Sequence, residues 1–256
     1  MSDTALLARW DKLMVSVEQP YARAILREKN RYIDAAAASF PRHQRLTDED
    51  LYEHTNKMLA LAEHYQRIAI RIGIVEALKD QKAALPTLER KEGWDALWFY
   101  LLRRWIAERG AQAAKETAAT TRADLQRIID KAHALDVEFN PVQVAADLLK
   151  AKALSAFRAM TIARTETHNA MMFASQEGAA KAGRDNGVTM LKRWVPVQDE
   201  RTRANHAAMS GHPAIPMEAM FTVGGEKMER PGDWRASAAN VVHCRCVLAY
   251  KVDENQ

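Results

Sequence analysis

The sequence predicts a mainly α protein, in which a long N-terminal helical region (residues 1–159) is followed by a small α+β C-terminal module (residues 160–256). Three observations predict it. Apolar residues recur at helical spacing with few breaks to about residue 183. Glycine and proline then arrive together, as Gly187, Gly211, Gly224, Gly225 and Gly232 with Pro196, Pro213, Pro216 and Pro231. Short strand-like runs separated by turn residues follow that change.

The first helix is marked by Leu6, Leu7, Trp10, Leu13, Met14 and Val17. It should stop before Pro20, because proline removes an intrahelical hydrogen bond. A second, alanine-rich helix is expected from Tyr21 to about Ser39, ahead of Pro41. Thr47-x-x-Asp50 resembles a capping box, in which the hydroxyl satisfies an orphan N–H and the acid opposes the positive helix end. It opens a long amphipathic helix with Leu51, Thr55, Met58, Ala62, Tyr65, Ala69 and Ile72 on one face. The run Ile68 to Ile74 alternates like a strand, but its flanks favour helix.

Gly93 and Gly110 bracket a helix whose stripe is Trp94, Trp98, Leu101, Leu102 and Trp105. That stripe reads as intramolecular core or, in a sharper reading, as a partner-binding face. Thr121-x-x-Asp124 reads as a further helix start, feeding Leu125, Ile128, Ile129, Ala132 and Leu135. Asn140-Pro141 is another, with an Asn cap and proline at the first helical position. Helices then run through Val144, Leu148 and Phe157 to Arg164. In the module, Leu191 to Val197 reads as a strand and Asp199 to Met209 as a short helix ended at Gly211. Phe221 to Met228 reads as a hairpin about Gly224-Gly225, and Val241 to Val252 as the closing strand.

Composition narrows the function classes. With 48% hydrophobic and 27% charged residues, the chain is that of a folded protein. The formal net charge is +4, from 37 basic against 33 acidic residues that are interleaved. Such a balance tolerates nonspecific DNA but lacks the basic stripe of a dedicated DNA reader. Two cysteines in a single CxC make no disulfide framework, which points to a reducing compartment. The N-terminus does not read as a signal peptide, and no run approaches the ~20 apolar residues of a membrane span. The expectation is a soluble product of a cytoplasm with no membrane partner. The phosphate-loop, nucleophile-elbow, HExxH and GxGxxG signatures are absent, so the chain reads as a non-enzyme.

On a strand, Cys244 and Cys246 would share a face, with sulfurs roughly 6–7 Å apart. Both would then reach one metal ion. Zinc needs two further ligands, of which His206 is the first candidate, with His212, His243 and Asp199 behind it. Two buried thiols in a core, and a redox or crosslinking pair, are the alternatives. Asp199, Arg203 and His206, at spacings of four and three, would line one helix face, as a polar cluster or as a solvated surface. Arg164 and Glu166 lie two apart and cannot pair on a helix, so a buried Glu166 would pin the helical part to the module.

The ordered set of Ala163-Arg164-Thr165-Glu166-Thr167, Trp194 to His206, Gly211, Phe221-x-x-Gly224-Gly225-Glu226, Pro231-Gly232-Asp233 and Cys244-Arg245-Cys246 resembles the head morphogenesis, or minor capsid, family of tailed bacteriophages typified by the F protein of phage Mu. The resemblance covers about residues 150–250. It implies a virion component present in few copies, made in the bacterial cytoplasm and built early into the head interior or portal vertex. The partners it implies are the portal protein, the major capsid or scaffold protein, and packaged DNA held nonspecifically. Related modules occur fused to toxins such as ADP-ribosyltransferases, which carry an extra effector domain. Before the CxC the family commonly has Asn, where this chain has His243.

Overall fold

The computed structural model describes residues 2–84, 94–135 and 138–253. Six helices of ten or more residues lie among them: α1 (Asp3–His43), α2 (Asp48–Ala84), α3 (Trp94–Trp105), α4 (Ala111–Ala134), α5 (Pro141–Lys150) and α6 (Ser155–Asn186). A π-helical turn, Ile106–Gly110, joins α3 to α4, and a 3-10 turn, Ala151–Leu154, joins α5 to α6. The strands follow α6, so the mainly α class with a small C-terminal α+β region holds.

Capping residues set several starts as the sequence predicts. The Asp50 N–H donates to Thr47 Oγ1 over 3.2 Å at the head of α2. Asn140 Oδ1 accepts from the N–H groups of Val142 (3.0 Å) and Gln143 (3.2 Å), with Pro141 at the first position of α5. Two other expectations are corrected. Pro20 does not end a helix, since α1 continues through it to His43. Val17 on one side and Tyr21, Ala24 and Ile25 on the other are buried, and their burial outweighs the lost hydrogen bond. Thr121 does not start a helix either, because it lies inside α4 and its hydroxyl donates back to the Thr117 carbonyl over 2.8 Å. The strong helix formers of residues 111–119 extend the helix upstream of it. α4 ends at Ala134, which leaves Leu135 exposed rather than in the stripe.

Two compact units interleave along the chain: Met1–Val17 with Gln66–Trp105 and Arg164–Gln256, and Glu18–Tyr65 with Ile106–Ala163. Thus α1, α2 and α6 each contribute to both, whereas the boundary at 159/160 expected from sequence divides the chain linearly. The second unit is helical throughout its regular structure. One of its cores joins Tyr32, Ile33, Ala36, Ala37 and Phe40 to Leu125, Ile129, Val144 and Leu148. Another joins Tyr21, Ala22 and Ile25 to Met58, Ala62, Ala114, Ala159 and Ala163. Its buried polar centre is Glu28, which accepts from Arg31 and lies 2.9 Å from Nδ1 of a fully buried His54.

In the first unit α2 and α6 approach so closely that a Cβ on Gly73 would lie 2.5 Å from the Met171 carbonyl oxygen and 2.9 Å from Ala174 Cβ. Of the tryptophan stripe, Leu101, Leu102 and Trp105 are buried, and Trp105 packs on Phe173 and Trp234, with ring centroids 5.2 Å away in each case. This is the core reading of that stripe. Gly93 and the Trp94 side chain lie outside the described residues. Strand β1 (Met190–Val195) pairs antiparallel with β2 (Ile215–Pro216) on one side, while β3 (Phe221–Val223) and β4 (Glu226–Met228) form the expected hairpin about Gly224-Gly225. The other neighbour of β1 is β5 (Val247–Val252), with Trp194 opposite Leu248, in the order β2-β1-β5.

Candidate metal centre and the motif cluster

Two further expectations change at the site itself. Residues 199–209 do not form one helix, since only α7 (Ala204–Ala207) is helical there. Asp199 instead closes its own turn, accepting from the Arg201 N–H (3.1 Å) and the Thr202 hydroxyl (3.0 Å). Asp199, Arg203 and His206 therefore diverge. Asp199 takes a two-pronged contact from Arg245 (2.6 and 2.7 Å), Arg203 donates to the Val242 carbonyl, and His206 turns inward. The closing strand is also shorter than expected. A four-residue helix, α8 (Ala238–Val241), precedes it, and Cys244 and Cys246 lie in the irregular segment before β5.

The two sulfurs converge nonetheless. Irregular backbone turns at His243, which has φ of +58°, so the thiols are not held to the spacing of an extended strand. Cys244 Sγ lies 3.7 Å and Cys246 Sγ 3.4 Å from the same atom, His206 Nδ1. All three donor atoms fall within 4.8 Å of one another, and the residues are only 1–3% exposed. The other sequence candidates stay apart. Asp199 is held by Arg245, His212 Nδ1–H donates to the Pro213 carbonyl over 2.8 Å, and His243 is not in the cluster. The His206 ring stands edge-on to Trp194, 5.5 Å away, in the apolar core that also holds Phe221, Val223, Met228 and Leu248.

Electrostatically the two thiols behave as one unit. The hydrogen bond from Cys244 pulls the Cys246 thiol below its usual range, with His206 adding to the effect. The same contact, then burial, pushes Cys244 up. Beside them, the Arg245 guanidinium holds the Asp199 carboxyl well below the usual carboxylate range.

The helix bearing the Arg164 motif holds these loops. On α6, Thr165, His168 and Asn169 share a face by their three- and four-residue spacing. His168 Nε2–H donates to the Cys246 carbonyl over 2.8 Å, and burial lowers its basicity. Thr165 Oγ1 accepts from the His243 N–H at 3.4 Å. The Asn169 amide, oriented to satisfy its neighbours, donates to the carbonyls of Gly232 (2.9 Å) and Thr165 (3.1 Å). Glu166 is buried on the same helix. Asp233, also buried, accepts from the Glu229 N–H over 2.9 Å and from Arg235 Nε over 3.0 Å, closing the Pro231-Gly232-Asp233 turn.

Sequence reasoning missed four of these buried polar groups. His168 and Asn169 were discoverable, because they continue the Thr165 face at helical spacing. Lys192 and Arg230 were not. Lys192 lies on the same face of β1 as the buried Met190 and Trp194, where a lysine needs a partner that its neighbours in sequence do not name. Its Nζ donates to the Glu229 carbonyl over 2.8 Å, and burial pushes it down to about 8. Arg230 is buried between the rings of Phe173 and Trp234, 5.1 and 5.2 Å from their centroids, and donates to Glu229 over 2.7 Å.

Comparison with known proteins finds a curated relative and a family similar to parts of this chain. A curated relative, the NAD(+)--arginine ADP-ribosyltransferase EFV of Enterococcus faecalis, is 28% identical over 96 residues, which cover 38% of this chain and 19% of the relative. The chain thus spans about a fifth of that relative's length. No solved structure matches. The family model described as Phage Mu protein F like protein matches residues 139–249, a stretch containing α6, the Asp199 turn, the hairpin and the CxC. Over residues 139–249 the chain is thus similar to the phage Mu protein F family.

Proposed function

We propose that this chain is a minor head protein of a tailed phage that acts structurally in procapsid and head assembly. It is made in the host cytoplasm and built into the head interior or the portal vertex. The observation that carries this reading is the family match over residues 139–249. The use of the motif residues supports it. Thr165, His168, Asn169, Arg203 and Asp233 hold backbone groups of neighbouring loops, which is framework chemistry rather than an acid–base pair facing a substrate. Large apolar side chains exposed on α3 (Phe99, Tyr100) and near the start of α6 (Leu154, Phe157) offer anchors for a portal, capsid or scaffold protein. In the second unit the arginines beside a cavity of about 310 Å³, Arg127 and Arg158, pair with Asp124, so nonspecific DNA contact is left to the net charge of +4.

The test is made in an infected or induced host. A tagged chain should co-sediment with procapsids and retain the portal protein, and deleting its gene should abolish infectious particles. Absence from purified procapsids and virions alike would end the proposal. ADP-ribosyl transfer is a second reading, and the Enterococcus relative is the observation behind it. Labelled NAD incubated with the chain and arginine-rich protein should yield no modified product. Transfer above that of heat-killed protein would favour the enzyme reading instead.

A further inference from the structure

We propose that His206 Nδ1 and the thiolates of Cys244 and Cys246 bind a zinc ion, as the three ligands supplied among the described residues. This rests on the geometry of the cluster and stands independently of the head-assembly reading.

Distance is the first argument. Tetrahedral zinc, with Zn–S near 2.3 Å and Zn–N near 2.0 Å, places a ligating nitrogen about 3.5 Å from each ligating sulfur. The observed separations are 3.4 and 3.7 Å, so each sulfur already stands at ligand spacing from the imidazole nitrogen. Hydrogen-bond arithmetic is the second. One imidazole nitrogen offers a single lone pair or a single proton, so it cannot satisfy two thiols at once. Without a metal, Cys244 must turn its S–H to Cys246 and leave Nδ1 to one thiol, whereas a soft cation among the three donor atoms engages both sulfurs and the nitrogen together.

Charge is the third argument. Two thiolates and a neutral imidazole bring zinc to net zero, which lowers the cost of placing the ion where its ligands are 1–3% exposed. Softness agrees, since thiolate with imidazole is a donor set that takes zinc. The ligand loops are also held from outside. His168 fixes the Cys246 carbonyl, Arg203 the Val242 carbonyl and Asp199 the Arg245 side chain, so little reorganisation accompanies binding.

The experiment uses the full chain, loaded with zinc salt and freed of excess. About one equivalent of zinc per chain is expected, with loss of thermal stability on chelation. Cobalt in place of zinc should give intense sulfur-to-cobalt charge-transfer absorption and the visible bands of a tetrahedral site. His206→Ala and the double variant Cys244→Ser with Cys246→Ser should each lose the metal and the chelator effect. Should those variants fail to fold, the cobalt spectrum of the wild type decides alone. Less than about half an equivalent of zinc without cobalt–sulfur bands overturns the proposal. So does zinc retained in full by the folded double variant.

Discussion

At Gly232 the backbone adopts φ of +72° and passes so close to α6 that a Cβ would lie 2.4 Å from the Asn169 side-chain amide and 2.6 Å from His168 Nδ1. Gly232→Ala should therefore cost about 2 kcal/mol or more, from strain and from displacing two buried side chains. A urea midpoint equal to that of the wild type would show that this loop is not seated on α6. In the other unit, burial pushes the Glu28 carboxyl up, but hydrogen bonds from His54 and Arg31 outweigh it and hold the group below its usual range. A depressed folded-state value stabilises the protein above the unfolded carboxylate range, near ~4.3, and that stabilisation is lost as pH falls through the folded value. Stability measured between about pH 3 and 6 should fall less steeply toward acid in Glu28→Gln than in the wild type. A parallel acid limb would remove Glu28 from the account. At this scale Cys244, Cys246 and His206 were legible because their residue types are rare and chemically distinctive. Glu28 with His54 was not, because their 26-residue separation carries no local period.

Among the elements, α1 carries an interior proline that helix propensity opposes, and it persists because residues on both sides of it are buried. Pro20→Ala should raise stability, by up to about 3 kcal/mol, if the packing is unchanged. A lower melting temperature would mean that α1 requires the proline's geometry. α5 is the opposite case, a helix of local origin. Losing its cap in Asn140→Ala should cost about 1 kcal/mol in equilibrium unfolding. Starts set by a side chain on its own N–H groups, as at Thr47 and Asn140, were readable because every partner lies within three residues. Thr121 carried the same letters, yet its hydroxyl found the Thr117 carbonyl once the alanine-rich turn before it was helical. Asp199 likewise chose its own turn and Arg245, which ended the helix that spacing alone suggested.

For the whole molecule, the assembly reading carries a charge prediction. A net charge of +4 on interleaved residues should give DNA binding that is independent of sequence, strong near ~50 mM salt and largely lost by ~200 mM. Filter retention that ignores salt, or no retention at low salt, would remove DNA from the partners. The sequence by itself determined the mainly α class, the capped starts of α2 and α5, the Gly-Gly hairpin and the ordered motifs similar to the Mu F family. All of these rest on periodicity, local hydrogen bonding or rare residues, which neighbours along the chain express. Only the tertiary structure decided that α1 survives Pro20, that Lys192 is buried on β1 against the Glu229 carbonyl, and that Cys244 and Cys246 meet His206 from an irregular loop. Those outcomes depend on burial and on partners 37 to 40 residues away, as in Lys192 with Glu229 and Cys246 with His206, whose separation no local pattern encodes.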